Sequence, residues 1–230
     1  MSTNNHQEPE LILFSGGLDS TILLESFLKE KRNVYVLYNQ LGYHISGQKK
    51  LPEQNKAVTS ILKYFKEKGY KFEYVNAGLF FDLPQGLTLE SDDQYNALMA
   101  GVVCRALNIK KIWVGTFTYT DINRMHFFGK NNPLIWYRDG SLDKFIQYGT
   151  AEDPSFKDIK YLTPMHKEIP SFLKELDSHL NTKKEAFDSL DPELKTLVRS
   201  CYGDLKFCGE CYKCQTCIHH KITDEKGNLI

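Results

Sequence analysis

Short apolar runs and helix-period stretches take turns along the first half of this chain, and that alternation restricts its fold more than any other feature. Leu11 to Phe14 is an apolar run that stops at Ser15-Gly16-Gly17, after which Leu23, Leu24, Phe27 and Leu28 recur at helical spacing up to Lys31. Val34 to Tyr38 reads as a second strand. Val58, Ile61, Leu62 and Phe65 mark a second amphipathic helix ending at Gly69, a residue suited to a left-handed cap. Phe72 to Val75 is a third strand, about Gln94 to Leu107 a buried helix, and Lys111 to Gly115 a fourth strand with Trp113 and Val114 inside. The order βαβαβαβ predicts an α/β fold, a doubly wound parallel sheet covered by helices on both faces through right-handed crossovers. Ligands then belong at the C-terminal ends of the strands.

After Gly115 the character changes. Residues 117–160 are rich in Tyr, Phe and Trp but broken by Gly129, Asn131-Asn132-Pro133 and Asp139-Gly140. Leu134 to Arg138 and Leu142 to Tyr148 flank Asp139-Gly140-Ser141, which suggests an inserted β-hairpin. Tyr161 to Met165 is a candidate last strand, and Ile169 to Leu180 and Pro192 to Val198 read as helices leading to a cysteine cluster. The organisation expected is a main domain over 1–168, with the aromatic insertion at about 117–160, and a small C-terminal helical subdomain over 169–230.

Composition narrows the partners. Lys+Arg 29 balances Asp+Glu 29, and no long basic run supplies the positive field that nucleic acid attracts, so no nucleic-acid partner is expected. No stretch reaches the ~18 consecutive apolar residues of a membrane span, and Met1 to Glu10 lacks the parts of a signal peptide. A cytoplasmic protein with no membrane partner is the expectation.

Ser15-Gly16-Gly17-Leu18-Asp19-Ser20-Thr21 lies where the first strand turns into the first helix. Two glycines let backbone approach a phosphate, helix N-terminal N–H groups point outward, and Ser15, Ser20 and Thr21 carry hydroxyl donors. The plainer alternative is a glycine turn with Asp19 or Ser20 as an ordinary N-cap. A Walker loop would end in Gly-Lys-Ser/Thr, which this one does not.

Five of six cysteines crowd between Cys201 and Cys217. Cys201, Cys208, Cys211 and Cys214 offer four thiolates at chelating spacings, with Gly209 easing the turn, and tetrahedral zinc is the natural guest. Cys217 makes an evenly spaced series with Cys208, Cys211 and Cys214, which leaves an iron–sulfur cluster as the alternative. His219 and His220 lie close enough to compete as ligands, while His44, His126, His166 and His179 stand apart and are not assigned catalytic roles.

The SGGLDST turn resembles the signature of the PP-loop ATP pyrophosphatases, which cleave ATP between the α and β phosphates on an adenine nucleotide alpha hydrolase-like fold. That loop together with the C-terminal Cys-x6-Cys-Gly-x-Cys-x2-Cys resembles the 7-cyano-7-deazaguanine synthase family of queuosine biosynthesis. The likeness extends to Tyr38-Asn39-Gln40, Asn96, Gly115, Asp121, Thr163-Pro164 and Lys167. It implies a carbon–nitrogen ligase that adenylates 7-carboxy-7-deazaguanine, displaces AMP with free ammonia to give an amide, and dehydrates the amide with a second ATP. By that resemblance Ser15, Gly16, Gly17, Leu18, Asp19, Ser20 and Thr21 hold pyrophosphate and Mg²⁺, and Tyr38, Gln40 and Gly115 contribute to the ATP site. It further implies that Ser15, Asp19, Ser20 and Lys167 are catalytic, Lys167 contacting phosphates. The same resemblance implies that Asn96 and Asp121 face the substrate, that Cys201, Cys208, Cys211 and Cys214 bind Zn²⁺, and that the chain forms a homodimer. Where that family carries Ser-Gly-Tyr-Pro-Asp-Cys-Arg after the aspartate, this chain reads Ile122-Asn123-Arg124-Met125-His126. Rival readings are an adenylating enzyme that stops at the amide or modifies a macromolecule, a tRNA sulfur transferase, and a non-catalytic ATP-binding module.

Overall fold

A computed structural model describes residues 8–43, 50–81, 92–115, 141–162 and 190–199. Along them run β1 (Glu10–Leu13), α1 (Leu18–Lys29), β2 (Val34–Tyr43), α2 (Lys50–Glu67), β3 (Glu73–Phe81), α3 (Asp92–Leu107), β4 (Lys111–Val114), α4 (Ser141–Gly149), β5 (Lys160–Leu162) and α5 (Pro192–Leu197). The strands form one sheet in the order β3-β2-β1-β4-β5, parallel at every pairing. β1 is central, and Leu11 and Ile12 are fully buried on opposite faces. Burial on both sides is why its sequence is an unbroken apolar run rather than an alternating one.

The period of two along each strand sorts the core into two layers. Ile12, Val36, Tyr38 and Trp113 pack with Leu23 and Phe27 of α1 and Val58, Ile61 and Phe65 of α2. Leu11, Leu37 and Ile112 pack instead with Ala97, Ala100 and Cys104 of α3 and Leu142 and Ile146 of α4. Burial pushes the Cys104 thiol up to about 12, so it stays protonated as a small apolar side chain. From β1 the chain steps outward through β2 to β3, then α3 carries it back past β1 to β4. The reversal leaves a crevice outside the C-terminal ends of β1 and β4, where such sheets bind ligands.

Two expectations need correction. The stretch from Leu142 to Tyr148, expected as the second strand of a hairpin, lies within helix α4. Leu142, Ile146 and Gly149 recur at helical spacing and bury against α3, and that period outweighs the turn signal of Asp139-Gly140. A β-carbon on Gly149 would lie 2.1 Å from the Leu98 carbonyl oxygen, so the two helices meet backbone to backbone. β2 and β3 are also longer than their apolar cores, paired as far as Tyr43 with Phe81. Leu190, Leu194 and Val198, within the stretch expected as a C-terminal subdomain, join the core layer of α1 and α2. There α5 is started by Asp191, whose carboxylate accepts from the Glu193 N–H at 2.8 Å, and by Pro192 in the first turn.

The strand expected at 161–165 is described as Lys160–Leu162, parallel to β4. The helix expected at 169–180, the segment 134–138 and the cysteine cluster lie outside the described residues. Among the described residues no helix is long and apolar enough to cross a membrane.

At the N-terminal edge of the sheet, Glu10 closes a buried polar knot. Its carboxylate accepts from Arg32 Nε at 2.9 Å, from Arg32 Nη2, and from Trp113 Nε1 at 2.6 Å. The guanidinium lies 3.9 Å from the Phe27 ring centroid. Both charges are therefore paired and hydrogen-bonded, the condition under which burial of an ion pair is tolerated.

Candidate active site

At the other edge, the Phe14 N–H still bonds to the Leu37 carbonyl at 2.8 Å, and then the chain turns. Gly16 has φ of +72°, and a β-carbon there would sit 3.1 Å from Val58 Cγ2 and 3.2 Å from Val58 N. Backbone conformation and the packing of α2 both demand glycine at this point. Gly17, extended at φ −81° and ψ 168°, is the N-cap of α1.

Every carbonyl of the turn accepts a hydrogen bond from the protein. The Ser15 carbonyl accepts from Gln54 Nε2 at 3.2 Å, and the Gly16 carbonyl from the Arg199 N–H at 3.0 Å. The Gly17 carbonyl accepts from the Thr21 N–H at 3.0 Å, Thr21 Oγ1 at 2.8 Å and Ser20 Oγ at 3.2 Å. In a trans peptide the N–H points opposite to the carbonyl it is joined to. With these three carbonyls engaged, the N–H groups of Gly16, Gly17 and Leu18 face the other way, at the positive end of a helix, and the Gly17 N–H donates to Ser15 Oγ at 3.4 Å. That polarity suits an anion and disfavours a cation.

The side chains divide between ligand and scaffold. Ser15 is exposed, Gly17 and Asp19 are half-buried, and Leu18, Ser20 and Thr21 are inside. Ser15 Oγ lies 3.2 Å from Ser20 Oγ, and the Ser15 N–H donates to the same hydroxyl at 3.3 Å. Thr21 is fully buried with its hydroxyl on the Gly17 carbonyl, so it braces the turn rather than reaching outward. Asp19 stands in the first turn of α1, where the helix field favours a carboxylate.

Gly115 ends β4 against this turn. A β-carbon there would be 2.6 Å from Ser20 N and from Ser20 Cα, so only glycine lets the fourth strand close on the start of α1. Tyr38 is 2% exposed and its hydroxyl donates to Asn55 Oδ1. Burial first, and then Tyr74, push its phenol well above the usual tyrosine range, so it remains a neutral donor. Its side chain belongs to the contact with α2, which leaves its backbone alone at the crevice. Gln40 Nε2 donates to Asn76 Oδ1 at 2.9 Å, and Asn96 Oδ1 accepts from Asn39 Nδ2 at 3.0 Å. Asn39 Oδ1 is buried and meets no donor among the described residues.

No family model matches the chain, and no curated protein matches it. Among solved structures it is similar to a predicted subunit of tRNA methyltransferase from Methanocaldococcus jannaschii, at 14% identity and a TM-score of 0.31, over 79% of this chain and 86% of that one.

The structure thus brings together Ser15 to Thr21, Gly115, Tyr38, Gln40 and Asn96 along one edge of the sheet. Asp121, Lys167, Cys201, Cys208, Cys211 and Cys214 lie outside the described residues. Gln54, Asn39 and Arg199 were not singled out as site residues by the sequence. Gln54 had a signal, a polar side chain one turn before Val58 on the α2 face; Arg199 reaches the site through its backbone and had none.

Proposed function

We propose that this chain is a PP-loop enzyme that splits ATP between the α and β phosphates to activate a carboxylate. The specific reaction proposed is conversion of 7-carboxy-7-deazaguanine and ammonia to 7-cyano-7-deazaguanine. The supporting observation is the turn at Ser15–Gly17, whose carbonyls are all engaged by the protein, set at the switch point of a parallel sheet and walled by Gly115. A pyrophosphate leaving group needs such a cradle, because stabilising its developing negative charge lowers the barrier directly.

The chemistry balances without an oxidant. A carboxylate oxygen attacks the α-phosphorus, the bond to the bridging α–β oxygen breaks, and pyrophosphate leaves with that electron pair. Ammonia then adds to the acyl carbon, AMP departs, and a proton is lost to give the amide. A second adenylation, on the amide oxygen, allows AMP to leave while nitrogen gives up its protons, forming the nitrile. Ser15, Gly16, Gly17, Leu18 and Ser20 would hold the leaving phosphates, with Thr21 bracing the turn from inside, and Asp19 would hold Mg²⁺, a hard cation suited to a carboxylate. Lys167 and Asp121 enter through the resemblance, as phosphate and ring contacts. The thiolates of Cys201, Cys208, Cys211 and Cys214 form a donor set that fits zinc, which when bound would fold a segment with little core of its own.

Incubation with ATP, Mg²⁺, ammonium and 7-carboxy-7-deazaguanine is expected to give AMP, pyrophosphate and a nitrile by mass spectrometry. An amide alone would make the chain an amide-forming ligase, and no AMP would overturn the proposal. Ser15→Ala and Asp19→Ala are each expected to abolish pyrophosphate release while bound zinc is retained; persistent ATP cleavage would refute the assigned turn.

A further inference from the structure

The three peptides of the turn are not held alike. The Gly17 carbonyl takes the Thr21 N–H at the start of α1, and the Gly16 carbonyl takes the Arg199 N–H, so both are fixed by main chain. The Ser15 carbonyl is held by a side chain, Gln54 Nε2 at 3.2 Å. A carbonyl only accepts, so this contact settles which end of the Gln54 amide faces the turn. The side chain rises from a fixed platform. Its neighbour Asn55 accepts from the Tyr38 hydroxyl on β2, and Ala57 and Val58, one turn on, are buried against Gly16. The peptide that Gln54 holds also has the softest hinge. Half a turn of the Ser15–Gly16 peptide changes only the Ser15 ψ and the Gly16 φ, now +72°, and glycine accepts either sign of φ. Reversed, that peptide shows its oxygen where it now shows the Gly16 N–H.

We propose that Gln54 is a positioning residue: by holding the Ser15 carbonyl, it keeps the Gly16 N–H aimed at the phosphate group that the turn receives. This rests on the reading of the turn as a phosphate cradle. A phosphate oxygen is negatively charged and accepts only, so the reversed peptide, with its oxygen outward, repels it. Binding must then first turn the peptide back, and the apparent affinity falls in proportion to the fraction of molecules already aimed. The bond lies at the surface, which keeps the effect to several-fold. Once the cradle is full, every molecule has the peptide aimed. Loss of Gln54 therefore weakens binding and leaves the chemical step alone.

The test uses the full chain and inorganic pyrophosphate with Mg²⁺, read by calorimetry. Gln54→Met keeps the length of the side chain and removes the donor, and it is expected to weaken pyrophosphate binding about three- to tenfold. In steady-state ATP cleavage KM should rise by the same factor while kcat stays within about twofold of the parent. With glycine amides labelled with ¹⁵N, the Gly16 signal of the free chain is expected to move or split in Gln54→Met. It should move further the same way in Gln54→Glu, whose carboxylate accepts from the N–H it now turns away, and return toward the parent position when pyrophosphate is added to the Met variant. A merely structural role predicts a lower melting temperature with pyrophosphate affinity, KM and the Gly16 signal unchanged, and that result overturns the proposal. So does a fall in kcat at constant KM, which would put Gln54 in the chemical step. Wild-type chain that fails to bind pyrophosphate overturns the phosphate reading of the turn and the proposal with it, whereas wild-type binding matched by Gln54→Met overturns the proposal alone.

Discussion

At the N-terminal end of β1, Glu10 shares its carboxylate between Arg32 and Trp113; at the C-terminal end, Ser15, Gly16 and Gly17 give their carbonyls to Gln54, Arg199, Thr21 and Ser20. Both ends are dense in polar atoms. At the first, donors and acceptors consume each other, so the knot is closed and serves the fold. At the second, each carbonyl has a donor, whereas the Gly17 N–H meets only the exposed Ser15 hydroxyl, at 3.4 Å. The first cluster is closed on both sides; in the second the acceptors are held firmly and a donor is held only by a long bond to an exposed side chain.

That contrast can be broken or sharpened by substitution. Glu10→Ala strands the Arg32 guanidinium and is expected to lower the unfolding free energy by about 3 kcal/mol in urea titrations, with ATP cleavage per folded molecule unchanged. Adding Arg32→Met to Glu10→Leu should recover part of that loss, the remainder being the buried Trp113 N–H left without an acceptor; no recovery at all would mean that the stranded charge is not the main cost. Gly115→Ala is expected to do the converse. Its new methyl must displace the Ser20 backbone, and a displacement of about 1 Å at a phosphate cradle lowers turnover by roughly 100-fold. Pyrophosphate release reads the effect, and a variant as active as the parent would deny the turn its role. Thr21→Val removes the hydroxyl on Gly17 and is expected to cost about 1 kcal/mol, split between stability and ATP affinity.

The smallest effect concerns alkali. Because the folded state raises the Tyr38 phenol above its ordinary value of 10.0, its contribution is fully present below about pH 10 and declines as pH climbs past it. Tyr38→Phe should flatten that decline in denaturation measured across pH 9 to 11, and an unchanged slope would place the sensitivity elsewhere.

The sheet and its turn were readable because they obey single-period rules. β1 and β4 are buried on both faces, and the glycine turn interrupts an apolar run at the one place where a strand hands over to a helix. The extensions of β2 and β3 were not readable, since Asn39, Gln40, Asn76 and Gly78 resemble turn residues, and it is the ladder between the two strands that keeps them extended. In α4 a strong turn dipeptide competed with a short helical period, and packing on α3 decided between them. The braces on the turn were hidden for a different reason. Arg199 acts through its main chain, which carries no residue-type signature, and its partner Gly16 is far away in sequence.

That last bond ties the glycine turn to the segment that follows α5. Val198, next to the donor, is buried in the core layer of α1 and α2, so the brace stands on a packed support. Order already present in that support is order the turn need not lose when it closes on an anion.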